Sequence, residues 1–441
     1  MNLKKIFFAI GPLLAAGLII MSIFSFNVSP KMSDEEVAYQ ATARNYSTLK
    51  GEFARSKILS DDKYVPFYSS SEMAIFDEFH PSILAEKYDR SYRPYIAGRD
   101  AQGALSHYLQ VSTMAKKHEG KKVVYIMSPN SFMSPNGISD KPYETVHSSL
   151  SISHWLLDIK KVDETDKYAA KRLLSYKIVK DDTLLAPRIQ KIKDGEELSV
   201  FDRIRLGINY RWLRSEDALF SQVDNSSNDA GNIDEMNNRN GLYNFRYAEK
   251  NKLPHLPDRY DLKELDSLAY KIGEETSTNN SFGFFDLKYE KDIGNKLKDF
   301  ENSRTNITYT NSLEFSDFQL LLNEFAKLNI EPYFIFMPIE EEWANYTGQS
   351  KEERDGVVKK IDYQLKSQGF NNFLVVNGSK KYTHVDGAHA GRRAWVEADG
   401  VLNEFLTSPK NTNLDYKIND FFYSKEWSVK KLDEIPQINK K

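Results

Sequence analysis

A carboxylate stands three residues ahead of an imidazole in the stretch Asp386-Gly387-Ala388-His389, a glycine-containing turn near the end of the chain. A hydroxyl is a poor nucleophile until a base takes its proton, and histidine is the usual base near neutral pH. The histidine needs a carboxylate to fix its tautomer and to stabilise the imidazolium. Asp386 and His389 can form that pair. Candidate hydroxyls lie far upstream in the run Ser69-Ser70-Ser71, followed by Glu72 and Met73. The residue types alone leave open which serine acts. Acyl transfer also needs hydrogen-bond donors fixed in advance around the oxyanion, and Asn130 is a candidate. His384, two residues before Asp386, is the rival base. His80 and His107 read as structural or exposed. Glu340-Glu341-Glu342 reads as a solvated charge run.

These residues can meet only if the fold gathers them. Five short apolar runs, 63–69, 92–97, 122–128, 332–338 and 373–377, have strand character. Continuous apolar runs suit strands buried on both faces of a parallel sheet. Helical periods occupy 102–117, 315–328, 351–368 and 392–406. Ser316 and Gln319 have capping-box spacing, while Asn329 and Gly369 read as helix stops. Alternating strands and helices predict a doubly wound α/β fold, with five parallel strands flanked by helices. In such a sheet, ligands bind beyond the carboxyl ends of the strands. The serine run, residues 98–103, Asn130, the three glutamates and the Asp386/His389 turn follow the five strands in order. Between the third and fourth strands lies a mostly helical insertion, with helical patterns at 169–179, 201–213 and 262–275 and an exposed loop at 224–240. The expected division is an anchor at 1–30, a linker leading into a helix at 31–60, and an α/β domain from 61–139 and 311–410. The insertion takes 140–310 and a tail takes 411–441.

Composition narrows the function. The 441 residues carry 60 Lys and Arg against 63 Asp and Glu, a net charge of −3, which argues against a broad nucleic-acid surface. There is no cysteine, which excludes disulfides, thiolate catalysis and cysteine-bound metal. No His-x-x-x-His or EF-hand spacing occurs, so neither metal nor cofactor is expected. Lys4 and Lys5 precede a nearly uninterrupted apolar run at 6–26. About 20 such residues cross a ~30 Å hydrocarbon core. The run exceeds a signal-peptide core and lacks a small-x-small cleavage site, so one uncleaved transmembrane helix is predicted. Pro12 is tolerable in a membrane helix. The two lysines place the N-terminus in the cytoplasm and the main domain outside the cell membrane.

The order of these motifs resembles that of serine esterases of the SGNH type. More narrowly, the chain is similar to the DltD family, membrane-anchored proteins of the D-alanine system for lipoteichoic acid. Ser69-Ser70-Ser71-Glu72-Met73 stands where that family has Gly-Ser-Ser-Glu-Leu. Ser128-Pro129-Asn130-Ser131-Phe132, Asn280-Ser281-Phe282-Gly283 and Asp386-x-x-His389 follow in the family's order. The resemblance implies Ser71 as nucleophile, His389 as base, Asp386 as its partner, and Asn130 and Ala101 as oxyanion donors. Two positions depart from the pattern, since Ser69 and Ala101 each replace a glycine. The implied activity moves D-alanine through an acyl-Ser71 intermediate onto lipoteichoic acid, without a cofactor. The implied partners are a multi-span membrane acyltransferase and a carrier that delivers D-alanine. A non-catalytic scaffold and a hydrolase of wall esters or thioesters are the alternatives.

Overall fold

The computed structural model describes residues 30–100, 102–227 and 243–436, with four isolated positions (11, 12, 15 and 17) before them and backbone only at 222–227. Apart from those four positions the apolar run at 6–26 lies outside the described residues, as do Ala101 and most of the expected loop at 224–240. Among the described residues, no helix is long and apolar enough to cross a membrane.

Five strands form one parallel sheet: β1 (Tyr64–Ser69), β2 (Arg93–Gly98), β3 (Lys122–Met127), β4 (Glu331–Phe336) and β5 (Phe373–Val375). Their order is β2-β1-β3-β4-β5. Every residue of β3 is buried, which is why its sequence is a continuous apolar run rather than an alternating one. Successive side chains still point to opposite faces. Tyr68, Tyr125, Phe334 and Phe336 enter one core, while Phe67, Val124, Ile126 and Ile335 enter the other.

Helices cover both faces. Before the sheet come α1 (Asp34–Ala43), a short turn of helix at Tyr46–Leu49, and α2 (Phe53–Ile58). Ala54 and Ile58 are fully buried, so this stretch, expected as a linker leading into a helix, packs onto the body. The helical period at 102–117 breaks into α3 (Ala104–Ser112) and Ala115–His118. Then follow α4 (Ser149–Asp158), α5 (Glu164–Leu173), α6 (Val200–Ser227), α7 (Leu262–Thr276) and α8 (Asp286–Asp292). The last three helices that cover the sheet are α9 (Glu314–Lys327), α10 (Lys351–Lys366) and α11 (Arg393–Thr407). Beyond them Trp427, on the short helix Lys425–Val429, is buried in the first core.

The start of α9 corrects one expectation. The helix begins at Glu314, so Ser316 lies inside its first turn and caps nothing. Gln319 instead pairs with Gln364 and Gln368 of the α10 region, at 3.0 and 2.9 Å. Asn329 and Gly369 do end their helices in the left-handed region, at φ 50° and 90°.

The part of the insertion holding α4, α5 and the start of α6 forms a third core with the outer faces of α3 and α9. Those two helices are therefore buried on two sides, which explains why residues 104–111 are all buried. Arg172 of α5 grips Asp317 of α9 with two hydrogen bonds of 2.7 and 2.9 Å, joining this helical layer to the sheet domain.

Candidate active site

β1 and β3 are neighbours although β2 separates them in sequence. The direction of strand addition reverses between them, and such a switch point opens a crevice beyond the carboxyl ends. The serine run leaves β1 at this point. Ser69 closes the strand, buried, and it is not among the residues with positive φ. The position therefore needs no glycine, and the departure from the family pattern costs no backbone strain. His107 Nε2 lies 3.1 Å from the Ser69 carbonyl oxygen, so that nitrogen carries the proton. Gly98 ends β2 opposite Ser69, where a Cβ would stand 1.9 Å from the Ser69 carbonyl oxygen.

The turn after Ser69 is organised by a carboxylate. Glu72 is buried and accepts from the Ser70 backbone N–H at 2.7 Å and from Ser128 Oγ at 2.8 Å. Ser128 follows β3, so Glu72 ties the two strand ends together across the switch point. Ser71 is half-buried, and its hydroxyl makes no hydrogen bond among the described residues.

β5 is the far edge of the sheet, so the Asp386/His389 loop must travel back over β4. It folds on itself, with Val385 N–H donating to the His389 carbonyl and Gly391 N–H to the Thr383 carbonyl, both at 2.9 Å. His384 Nε2 donates to the Pro338 carbonyl after β4 at 2.6 Å. The Arg392 N–H donates to Asp77, in the segment after β1. Arg392 has φ 42° without being glycine, a strained backbone held by Asp77 and by side-chain bonds to Ser277 and Thr276. The ends of β1 and β5 are thus joined directly, and the charge of Glu72 acts on His389.

Asp386 is the hub of this loop. Both its oxygens lie 2.9 Å from His389 Nδ1, and Oδ1 accepts from the backbone N–H of Ala388 and of His389, each at 2.8 Å. A carboxylate can only accept here, so Nδ1 carries the proton and Nε2 is left as the basic nitrogen. Lys288 of α8 adds a cation 3.1 Å from Asp386 Oδ2, and also meets Asp292 at 2.5 Å and the Tyr243 hydroxyl at 3.2 Å. Burial disfavours the charge on Asp386. The His389 hydrogen bond and the charges of His389 and Lys288 outweigh burial and hold the carboxyl far below its usual range. Burial also works against the His389 imidazolium, but the hydrogen bond to Asp386 and the charges of Asp386 and Glu72 raise its pKa above the ordinary value. For Lys288, burial is outweighed by Asp386, Asp292 and Tyr243, and its pKa rises.

The structure brings Asp386 and His389 into contact and links their loop to Asp77, in the segment that follows the serine run. Ser71 and His389 are not hydrogen bonded to each other, the His389 ring pairing with Asp386. Asn130 lies on the short 3₁₀ turn Pro129–Phe132 after β3, and its Oδ1 is buried without a partner among the described residues. Ala101 is outside the described residues. His384 is buried with both ring nitrogens engaged, by Thr383 and Pro338, and burial pushes its pKa down to about 4, so its role is structural. His80 is buried too, capping the helix Pro81–Lys87. Glu340 is not part of a solvated run: it is buried and caps the following helix through the Trp343 N–H at 2.7 Å.

Lys288 and Asp77 escaped the sequence reading, because nothing in their spacing ties them to residues about 100 and 315 positions later. One signal did point near Lys288. In Asn280-Ser281-Phe282-Gly283, the Asn280 side chain both donates to and accepts from the Phe284 backbone, at 2.8 and 2.9 Å. That clamp lets Phe285 N–H donate to the Val385 carbonyl at 3.1 Å, beside Asp386.

Residues 41–407 match the family model described as DltD protein. The chain belongs to the DltD family. Similar relatives include Protein DltD of Lacticaseibacillus rhamnosus, 32% identical over 439 residues, with 96% of each chain covered. Protein DltD of Bacillus subtilis (strain 168) is 27% identical over 417 residues, covering 93% of this chain and all of the relative. Protein DltD of Staphylococcus aureus is 23% identical over 387 residues, covering 87% of this chain and 91% of the relative. The DltD match runs from within α1 to the end of α11, and so includes the inserted helices as well as the sheet.

Proposed function

We propose that the chain is a membrane-anchored serine acyltransferase that moves D-alanine onto lipoteichoic acid. His389 Nε2 takes the Ser71 proton as the hydroxyl oxygen attacks the carbonyl of a D-alanyl donor. Donors after β2 and β3, among them Ala101 and Asn130, stabilise the oxyanion. The donor's leaving group departs with the proton from His389, leaving D-alanyl-Ser71. A polymer hydroxyl then gives its proton to His389 and attacks the ester carbonyl, and Ser71 leaves with that proton. Asp386 stays ionised throughout and stabilises the imidazolium. Residues 6–26 cross the membrane, with the body outside the cell beside a multi-span membrane acyltransferase and a D-alanyl carrier system.

The observation that carries this reading is the Asp386–His389 contact, with Asp386 clamped by Lys288 and the loop tied through Asp77 to the segment that follows the serine run. A histidine with a fixed tautomer and a raised pKa, in a loop tied to the segment that follows the serine run, suits nucleophilic catalysis. The test is the D-alanine ester content of lipoteichoic acid in cells making either the unaltered chain or Ser71→Ala, with equal membrane levels. The expected result is loss of the ester, and a fall of about 10⁴-fold in acyl transfer by the purified protein. Ester persisting in the variant would leave a scaffold role instead. Free D-alanine released without polymer modification would indicate a hydrolase. Protease treatment of intact cells should degrade the large domain, and its protection would reverse the assigned orientation.

A further inference from the structure

Helix α6 spends an unusual share of its surface on exposed apolar residues. Phe201 is 70% exposed, Ile204 57%, Ile208 68% and Phe220 61%, with Trp212 between them at 46%. The spacing from 201 to 204, 208 and 212 keeps these side chains on one face. From Phe201 to Trp212 the helix rises about 17 Å at 1.5 Å per residue. The opposite face is fully used. Leu206 is buried in the helical core, Arg203 donates to the carbonyls of Leu157 and Ile159, and Asp217 accepts from the N–H groups of Glu52 and Phe53 at 2.8 Å. A continuous apolar stripe outside a completed core marks an interaction surface.

Where α6 sits identifies its partner. It packs through Asp217 and Tyr210 on Glu52 and Phe53, at the start of α2. The same N-terminal segment begins at α1, and only residues 27–33 separate it from the apolar run at 6–26. Seven residues reach at most about 25 Å when extended. Exposed Arg205 and Arg211 flank the stripe on its two sides, and among the described side chains of α6 the exposed acid is Glu216. Apolar and aromatic residues on one face with arginines beside them fit a helix lying in the plane of a bilayer surface with anionic headgroups. Two copies of the stripe facing each other would instead crowd like charges.

We propose that the exposed face of α6 lies in the headgroup region of an anionic membrane and forms a second, in-plane attachment that holds the domain against the bilayer. This rests on the reading of residues 6–26 as a membrane anchor. The chain has no cysteine, so single cysteines can be introduced without background. Ile204→Cys, Ile208→Cys, Leu18→Cys and, as a remote control, Lys417→Cys are each made in the full chain, labelled with a polarity-sensitive fluorophore and reconstituted. The vesicles contain phosphatidylglycerol and lipids carrying shallow or deep nitroxide quenchers. The expected result is a blue-shifted emission at positions 204 and 208, quenched by the shallow nitroxide, with no change at 417 and deep quenching at 18. Emission at 204 and 208 matching that at 417 overturns the proposal, and deep quenching at 18 in the same preparation leaves the anchor standing. A blue shift without lipid quenching means contact with a second copy and also overturns it. Quenching at 204 and 208 without quenching at 18 supports the surface helix and removes the anchor. A Phe201→Ser/Ile204→Ser/Ile208→Ser variant of the full chain should keep its unfolding midpoint, because these side chains are exposed. A label at Trp212→Cys in that variant should lose its shallow quenching, and retained quenching there would count against the stripe.

Discussion

A single hydrogen-bond inventory separates two histidines five positions apart. His384 has both ring nitrogens committed and is held neutral by burial, whereas His389 commits only Nδ1, to Asp386. The raised pKa of His389 has a definite consequence for pH. In the proposed mechanism Nε2 below that pKa holds a proton and cannot accept one from Ser71, so the acid limb of kcat/KM for the proposed acyl transfer should lie above the ordinary histidine value of about 6.5. The Lys288 charge opposes the imidazolium and lowers the pKa of His389. In Lys288→Met the acid limb should therefore move further alkaline, by about half a unit to one unit. A pH–rate series on both proteins checks this, and an unmoved or acid-shifted limb would show that Lys288 does not reach the histidine electrically.

At the scale of elements, the serine turn depends on how closely β1 and β2 approach at their carboxyl ends. A Cβ at Gly98 would meet backbone, the Ser69 carbonyl, which cannot swing aside as a side chain can. Gly98→Ala should cost about 1–3 kcal/mol, the usual range for overpacking, and should lower acyl transfer by displacing the serine turn. The matching control is Gly207→Ala in the interior of α6, where a Cβ meets nothing within 4 Å. That change should stabilise by about 0.5–1 kcal/mol, because it removes glycine's extra freedom from the unfolded chain. Denaturant unfolding of the two variants tests both signs. Equal and opposite shifts are not required, but a stabilised Gly98→Ala would contradict the close approach.

For the molecule as a whole, the central question is how firmly the helical layer is joined to the sheet domain. The Arg172–Asp317 pair is buried, with only 5% and 1% of the two side chains exposed, and Tyr168 adds a hydrogen bond to Asp317 at 2.9 Å. Removing one partner leaves an uncompensated buried charge, so Asp317→Ala should destabilise the protein by about 3–5 kcal/mol. A chemical unfolding curve that stays a single transition while shifting to lower denaturant would mean that layer and sheet unfold together. Loss of less than about 1 kcal/mol, the range of exposed pairs, would mean the junction is solvated.

The strand and helix pattern was legible in the residues, because hydrophobic periodicity is a local property. All five apolar runs became strands, and the residues just beyond them were the ones to inspect. The family's motifs, their order and the Asp386/His389 spacing were also plain. The tertiary structure alone decided which polar groups meet across long separations. Lys288 reached Asp386, Asp77 bound Arg392, Glu72 bridged to Ser128, and buried Glu340 turned from a charge run into a cap. It likewise packed residues 34–58 against the body and started α9 two residues before its apparent cap. The reason is physical. A burial pattern is written every two or four residues along a chain, but the partner of a buried charge depends on strand order and on the path by which a loop returns, and neither has a local signature.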